Sequence, residues 1–158
     1  MAIRKILVEG DEMLRKHARV VDKFDKRLWT LLEDMAETMY DADGAGLAAP
    51  QVGILKRAVV IDVGDGLIEL VNPEIIESHG SVVNPEGCLS IPGRRCTVAR
   101  PESVTVRAQD RHGEFFEVTG EKLLAVAFCH ELDHLDGILY IDKMIEDVTD
   151  QYEESKDE

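Results

Sequence analysis

The sequence contains a His-Glu-x-x-His pattern formed by His130, Glu131 and His134. Two histidines four positions apart lie one turn apart on a helix, so both imidazoles can bind the same metal ion. A carboxylate beside the first histidine can then accept a proton from a water molecule bound to that metal. Because two histidines do not complete a metal site, a third ligand from elsewhere in the chain must decide which kind of enzyme carries this pattern.

The spacing of residues after the pattern argues against the common zinc proteases. Metzincins extend it to His-Glu-x-x-His-x-x-Gly-x-x-His; Gly137 matches their glycine, but Tyr140 stands where their third histidine is required. A protease of the thermolysin type takes a glutamate from a later helix. Only the short acidic C-terminal segment remains to supply one, which leaves Glu146, Glu153 and Glu154 as weak candidates.

Histidines and cysteines outside the pattern are the other candidates for the third ligand. Cys88 lies in residues 84–93, where prolines and glycines predict a loop that can hold a side chain and a backbone N–H in fixed positions. Cys96 enters a predicted strand and Cys129 points away from His130 on the helix, so both are predicted to be buried core residues. The remaining histidines are scattered and are predicted to be surface residues: His17, His79 and His112.

The His-Glu-x-x-His pattern lies within a predicted helix. Apolar residues at helical spacing predict one helix over residues 24–40 and a second over residues 121–135, which ends near Gly137. Asp133 and Asp136 could support the metal ligands from outside or be exposed charges of the second helix, and the second interpretation is favoured. Strands are predicted at 57–62, 67–71, 104–108 and 116–118, with a hairpin turn at 109–113.

This order of an N-terminal helix, strands and a C-terminal helix predicts an α+β domain and not an alternating parallel fold. No repeat, linker or composition break divides the sequence, so residues 1–145 are predicted to form a single catalytic domain. Residues 146–158 are predicted to form an acidic, solvated tail, because Lys156 is their only basic residue.

The formal charge of −14 argues against several classes of partner. Phosphate binding needs a basic face, so neither direct nucleic-acid binding nor attachment to an anionic membrane is expected. The three cysteines lack the spacing of a disulfide framework, which favours a reducing compartment. No stretch approaches the roughly 20 apolar residues of a membrane span, and the N-terminal apolar run is too short for a signal peptide. These features predict a soluble, cytoplasmic protein.

Three segments of the chain together resemble the peptide deformylase family. They are Gly-Ala-Gly-Leu-Ala-Ala-Pro-Gln at 44–51, Glu-Gly-Cys-Leu-Ser at 86–90 and His-Glu-Leu-Asp-His at 130–134. The family's pattern is G-x-G-x-A-A-x-Q, E-G-C-x-S and H-E-x-D-H, and every fixed position is met, in the same order and over most of the chain. The resemblance implies an α+β fold of antiparallel strands around the metal-bearing helix. It also implies an enzyme that removes the formyl group from the N-terminal methionine of new polypeptides.

The same resemblance implies a role for each residue of the site. One divalent metal ion would be bound, with water in the open fourth position, by Cys88, His130 and His134. Glu131 would take a proton from the metal-bound water and later deliver it to the leaving amine. Negative charge then develops on the formyl oxygen, and the Gln51 side-chain amide and the Leu89 backbone N–H would stabilise it.

The peptide itself would be bound by residues from three parts of the chain. The resemblance assigns this role to backbone groups of Ala45 and Gly46 and to Arg95, and glycines near this backbone let an extended peptide approach closely. Helical spacing adds Val126 and Ala127, which lie four and three residues before the first histidine and share its face. A pocket of such residues near the metal suits an unbranched apolar side chain such as methionine.

The expected metal follows from the three ligands and from the family resemblance. One cysteine and two histidines suit several divalent metals. Since related enzymes work best with ferrous iron, Fe²⁺ is the expected cofactor, and Zn²⁺, Ni²⁺ or Co²⁺ can substitute.

Some related bacterial enzymes dock a basic C-terminal helix on the ribosome. The acidic segment of this chain cannot use that electrostatic attraction, so any ribosome contact is expected to be weak.

Two alternative functions stay open from the sequence. A general zincin-like peptidase would cleave unformylated peptides and show no activity on formyl-Met-Ala. A non-enzymatic metal-binding protein would need neither Glu131 as a base nor Gln51 as a donor.

Overall fold

The computed structural model describes residues 2–151, which form two sheets and two α-helices joined by turns. The helices are α1 (Lys26–Asp41) and α2 (Leu123–Leu135). The strands are β1 (Gly46–Ala48), β2 (Ala58–Ile61), β3 (Ile68–His79), β4 (Val82–Cys88), β5 (Ile91–Arg100), β6 (Ser103–Gln109), β7 (Phe115–Glu121) and β8 (Met144–Asp147). Short 3-10 turns lie at Glu12–Arg15, Ala49–Val52 and Tyr140–Lys143.

Every strand of both sheets pairs with its neighbours in antiparallel fashion. The first sheet has the order β1-β2-β3-β6-β7 and the second the order β4-β5-β8. β6 and β7 are joined by the predicted hairpin turn, with Gln109 opposite Phe115 at its base. The α+β class, with antiparallel strands and a C-terminal helix, is therefore confirmed.

Helix α2 is buried on most of its surface. Phe128, Leu132 and Leu135 share one core with the first sheet. The strand residues of this core include Val59, Ile61, Leu70, Val104 and Val106. A helix that is apolar on most sides is stable when other elements pack against most of its surface. The His-Glu-x-x-His pattern therefore lies in the interior of the protein.

A glycine lies near each end of α2 and allows a conformation or a close approach that a side chain would prevent. At Gly120, in β7, a Cβ would lie 2.6 Å from Leu124 and 2.8 Å from Phe128, so the missing side chain lets strand and helix pack closely. Gly137 has a φ of 74° and its N–H donates to the His134 carbonyl at 3.2 Å. This left-handed conformation ends the helix, as predicted, because glycine adopts it without a Cβ clash.

Helix α1 packs against the first sheet through the predicted apolar stripe. Asp25 caps its N-terminus by accepting a hydrogen bond from the Leu28 N–H at 3.3 Å. The stripe forms a second core with strand residues such as Ala58 and Val60. Its buried members are Leu28, Leu31, Leu32, Met35 and Met39. The helix ends at Asp41, before Gly44, as predicted.

The segment around Cys88 is a β-hairpin and not the predicted loop. β4 runs to Cys88, β5 begins at Ile91, and these two residues are partners across a two-residue turn. Pro85 lies within β4, which is tolerated because β4 is an edge strand. β3 also continues to His79, beyond the predicted strand end at residue 71.

Part of the predicted acidic tail is structured. Glu146 and Asp147 belong to β8, which pairs with β5, and Val148 behind them is buried. The side chains of β8 itself are exposed, so its acidic residues are solvated. Residues 152–158 of the predicted tail lie outside the described residues.

Within residues 2–151, none of the helices combines the length and the apolar character that a membrane span requires. The three cysteines are free thiols. Cys96 and Cys129 are buried, as predicted.

Candidate metal centre

Three potential metal ligands come together from one helix and one hairpin. The ligand atoms of Cys88, His130 and His134 all lie within 4.8 Å of one another, and Cys88 Sγ is 3.4 Å from His134 Nε2. Metal–sulfur and metal–nitrogen bonds of 2.3 and 2.0–2.1 Å in a tetrahedral site place ligand atoms about 3.5 Å apart. The donor set therefore fits one divalent transition metal. The three other histidines are exposed, as predicted: His17, His79 and His112.

The hairpin turn sets the position of the cysteine. Cys88 is the last residue of β4, and Leu89 and Ser90 form the turn before β5. The facing histidines project from α2 one turn apart, with ring centroids 5.1 Å apart. Tyr140 occupies the position at which a metzincin has its third histidine. Its ring stacks on the His130 ring, with the two centroids 5.7 Å apart, so it packs beside the ligand cluster.

The His130 ring is held by a buried carboxylate. Glu86 Oε1 lies 3.0 Å from His130 Nδ1, so the opposite nitrogen, Nε2, is left for a metal. Glu86 in turn accepts two hydrogen bonds from the Arg100 guanidinium, at 2.8 and 3.0 Å. Burial raises the pKa of Glu86, but the bonds from His130 and Arg100 outweigh it and hold this pKa below its usual value.

The favoured prediction that Asp133 is an exposed charge is wrong, because this side chain belongs to the same largely buried network. Asp133 Oδ2 accepts a hydrogen bond from Arg100 Nη1 at 2.8 Å and also pairs with Lys143 at 3.1 Å. It lies on the neighbouring turn of α2 from His130. The sequence pattern could not show this, since the partner that removes Asp133 from solvent comes from β5.

Glu131 lies inside the protein beside the ligand cluster. The residue is 5% exposed, and its Oε1 has no hydrogen-bond partner among the described residues. Burial raises the pKa of Glu131 to about 7. A carboxylate with such a pKa can both accept and return a proton near neutral pH.

The side-chain amide of Gln51 points its N–H groups towards Cys88 of the ligand cluster. Its Oε1 accepts a hydrogen bond from the Ala48 N–H at 2.9 Å, which fixes the amide plane. Its Nε2 then lies 3.0 Å from Ser90 Oγ and 3.6 Å from Cys88 Sγ. The 3-10 turn that carries Gln51 is thus joined through this side chain to the β4–β5 turn.

A cavity of about 410 Å³ opens over the cluster. It is lined by all but one of the predicted site residues: Ala45, Gly46, Gln51, Cys88, Leu89, Arg95, Val126, Ala127, His130 and Glu131. The exception, His134, is buried behind them. Leu123 also lines the cavity, and its position two helical turns before His130 is the signal that could have identified it.

The neighbouring arginines on β5 point in different directions. Arg95 lines the cavity and lies over Gly87, where a Cβ would collide with the guanidinium. Arg94 instead pairs with Asp147 of β8 at 3.2 Å. Strand alternation accounts for the difference, because successive side chains leave a strand on opposite faces.

The donor set, the buried carboxylate and the adjoining cavity define a metal-dependent hydrolase. Sequence and structure comparisons make the class more specific. Residues 3–149 match the polypeptide deformylase family, and the chain belongs to that family. Its members are metalloenzymes that act on formylated nascent peptides, and the chain is an enzyme of this type.

Individual relatives cover nearly the whole chain. The peptide deformylase of Caldicellulosiruptor bescii is 60% identical over 96% of this chain and 91% of its own length. That of Acetivibrio thermocellus is 63% identical over 92% of this chain and 85% of its own length. Among solved structures, the peptide deformylase from Legionella pneumophila has a TM-score of 0.89 at 48% identity, with 98% of each chain covered. The peptide deformylase from Synechococcus elongatus in complex with actinonin has a TM-score of 0.88 at 39% identity, with 96% of this chain and 84% of that chain covered.

Proposed function

We propose that the protein removes the formyl group from the N-terminal formylmethionine of newly made polypeptides, with Glu131 as the general base and acid. The observation that carries this proposal is the position of the Glu131 carboxylate. It is buried beside three potential metal ligands, in a cavity that also receives the Gln51 amide.

The metal would be held by Cys88, His130 and His134. When bound, a divalent metal lowers the pKa of water and polarises a carbonyl oxygen. Several metals suit these ligands, and Fe²⁺ is the proposed native ion, with Zn²⁺, Ni²⁺ or Co²⁺ able to substitute.

The chain's own groups would move the proton and stabilise the developing charge. Glu131 accepts a proton from the attacking water and returns it to the amine that leaves as formate is released. The Gln51 amide and the Leu89 backbone N–H donate hydrogen bonds to the formyl oxygen, on which negative charge develops. Removal of one such donor typically raises the barrier by about 3 kcal/mol.

The peptide would be held by residues around the cavity. Backbone groups of Ala45 and Gly46 bind its extended main chain, and Arg95 contacts it from the β5 side. Val126 and Ala127 line the pocket for the methionine side chain. All five residues line the same cavity as Glu131, which supports this assignment.

The cellular setting is part of the proposal. We infer that the chain acts as one catalytic domain that includes β8 and Val148, in the cytoplasm, with nascent formylated peptides as the partner. The formal charge of −14 supports weak ribosome contact and no direct nucleic-acid or membrane binding.

The test combines metal analysis with an activity assay on anaerobically purified protein. The wild type should deformylate formyl-Met-Ala, whereas Glu131→Ala should retain its metal and lose activity, because the base is removed and the ligands remain. Glu117→Ala, at an exposed position on β7, is the matched control and should behave like the wild type.

Two results would contradict the proposal. Activity retained in Glu131→Ala would exclude this residue as the base. Cleavage of unformylated peptides without activity on formyl-Met-Ala would favour a general zincin-like peptidase.

A further inference from the structure

The proposed mechanism gives no part to Ser90, the last residue of the Glu-Gly-Cys-Leu-Ser segment. Ser90 is fully buried in the turn between β4 and β5. Its Oγ lies 3.0 Å from Nε2 of Gln51, a residue that is itself only 1% exposed. A buried hydroxyl bonded to the side chain of a proposed oxyanion donor is in a position to orient that donor.

Two hydrogen bonds of the Gln51 amide determine where its remaining N–H points. The Ala48 N–H donates to Oε1 at 2.9 Å, and Nε2 donates one of its two hydrogens to Ser90 Oγ. Because the amide group is planar, these two bonds fix its rotation. The second Nε2 hydrogen is then directed towards Cys88, whose Sγ lies 3.6 Å away. This second hydrogen is the one that a formyl oxygen in the cavity can accept.

The two proposed oxyanion donors belong to different parts of the fold. Gln51 lies in the 3-10 turn that follows β1 of the first sheet, whereas Leu89 lies in a turn of the second sheet. The N-terminal segment bonds to both turns. The Leu7 N–H donates to the Gln51 carbonyl at 2.7 Å. Two residues further on, the Glu9 N–H donates to the Ser90 carbonyl at 2.8 Å, so this segment joins the two turns through backbone bonds.

We propose that Ser90 is a positioning residue for deformylation. Its hydroxyl fixes the Gln51 amide, and its carbonyl, bonded to the N-terminal segment, fixes the separation of the two donors. This inference rests on the proposed function, because it requires a formyl oxygen that accepts the amide N–H. Donors stabilise the transition state only while they are held where the charge develops. Loss of the hydroxyl should therefore lower kcat and change KM little.

The first test removes the hydroxyl with and without its proposed partner. Ser90→Ala should lower kcat on formyl-Met-Ala about tenfold at unchanged metal content. In a Gln51→Ala background the same substitution should have no further effect, because the amide that the hydroxyl positions is gone. The matched control is Thr38→Val, which removes an equally buried hydroxyl in α1 that accepts the Arg4 N–H, and it should keep the wild-type kcat.

The second test removes the backbone bond to Ser90 at an exposed position. Glu9 is exposed and stands second in a turn in which the Asp11 N–H donates to the Val8 carbonyl at 3.1 Å. Gly10, the third residue of the turn, has a φ of 104°, and proline is common directly before such a glycine. Glu9→Pro therefore removes the N–H with little strain and should lower kcat about threefold. Glu9→Ala keeps the N–H and should behave like the wild type.

A measurement on the amide itself accompanies the kinetics. The chain has three glutamines, so the side-chain N–H signals of Gln51 can be assigned in the NMR spectrum of the zinc-loaded protein by their loss in Gln51→Ala. One of the two signals should move upfield in Ser90→Ala and, by a smaller amount, in Glu9→Pro, because the hydrogen bond to Ser90 is lost or lengthened. Neither signal should move in Thr38→Val.

The outcomes separate this inference from the proposed function. A wild-type kcat in Ser90→Ala, an equal loss of kcat in the Gln51→Ala background, or unmoved Gln51 signals overturns the inference while deformylation by the wild type continues. Equal kcat values for Glu9→Pro and Glu9→Ala overturn the part assigned to the N-terminal segment. Failure of the wild type to deformylate formyl-Met-Ala overturns the proposed function instead.

Discussion

At the scale of single residues, the close fit between Gly46 and Glu131 controls the position of the proposed base. A Cβ built at Gly46 would lie 2.6 Å from Glu131 Oε2 and 2.9 Å from Glu131 Cδ. The glycines of this segment were expected to admit a peptide backbone. The structure gives a further reason for one of them, since Gly46 leaves room for the protein's own carboxylate.

Gly46→Ala is expected to lower kcat strongly while leaving the metal in place. The added methyl group must displace the Glu131 carboxylate, and a displacement of about 1 Å at a reacting group can cost roughly 100-fold in rate. The ligand atoms belong to other residues, so the metal content should match that of the wild type. Steady-state kinetics on formyl-Met-Ala with parallel metal analysis would measure both. A kcat within twofold of the wild type would show that Glu131 has space to move.

The residues with chemical roles differ in how far the sequence could predict them. His130, Glu131 and His134 follow a helical spacing, so their mutual proximity could be predicted without tertiary structure. Arg100 could not be predicted, because an isolated arginine has no pattern, and its importance comes from carboxylates on β4 and α2. Its role depends on tertiary contacts, which local periodicity does not encode.

At the scale of elements, Arg100 joins the hairpin that carries Cys88 to the helix that carries the histidines. It is 4% exposed and bonds Glu86 of β4 and Asp133 of α2. The bonds from these carboxylates outweigh burial and raise the pKa of Arg100 above its usual value. The positive charge of the Arg100 guanidinium thus lies between two negatively charged carboxylates, at the junction of β4, β5 and α2.

Arg100→Met is expected to lower the free energy of unfolding by about 3–5 kcal/mol, because it leaves the Glu86 carboxylate buried without its main counter-charge. Urea unfolding of the metal-free protein measures this change separately from metal binding. The control is Arg111→Met, which removes an equally bidentate but more exposed pair with Glu69 and should cost about 1 kcal/mol. Equal losses in the two variants would contradict a special role for the Arg100 network.

The sequence also predicted some elements better than others. Strands β2, β6 and β7 were predicted near their observed bounds, because β-branched or alternating residues mark them. β4 and β8 were not predicted. β4 contains Pro85 and Gly87, and all four side chains of β8 are exposed, so neither strand has the alternation of a half-buried strand. Edge strands held mainly by backbone pairing lack a side-chain signature.

At the scale of the whole molecule, the acidic charge of the chain is expected to weaken any association with the ribosome. The formal charge is −14, and residues 152–158 alone contain Glu153, Glu154, Asp157 and Glu158 against Lys156. Ribosomal RNA is a polyanion, so long-range electrostatics oppose association.

Deletion of residues 152–158 is therefore expected to leave ribosome association unchanged or to strengthen it slightly, because three net negative charges are removed. Co-sedimentation with ribosomes at low salt, where electrostatic effects are largest, measures the bound fraction. A variant with Glu153 and Glu154 replaced by lysine keeps the length of the chain, and should bind more than the wild type with an affinity that falls as salt is added. Strong co-sedimentation of the wild type that is lost on deletion would contradict this prediction, since the acidic segment would then itself be the docking element.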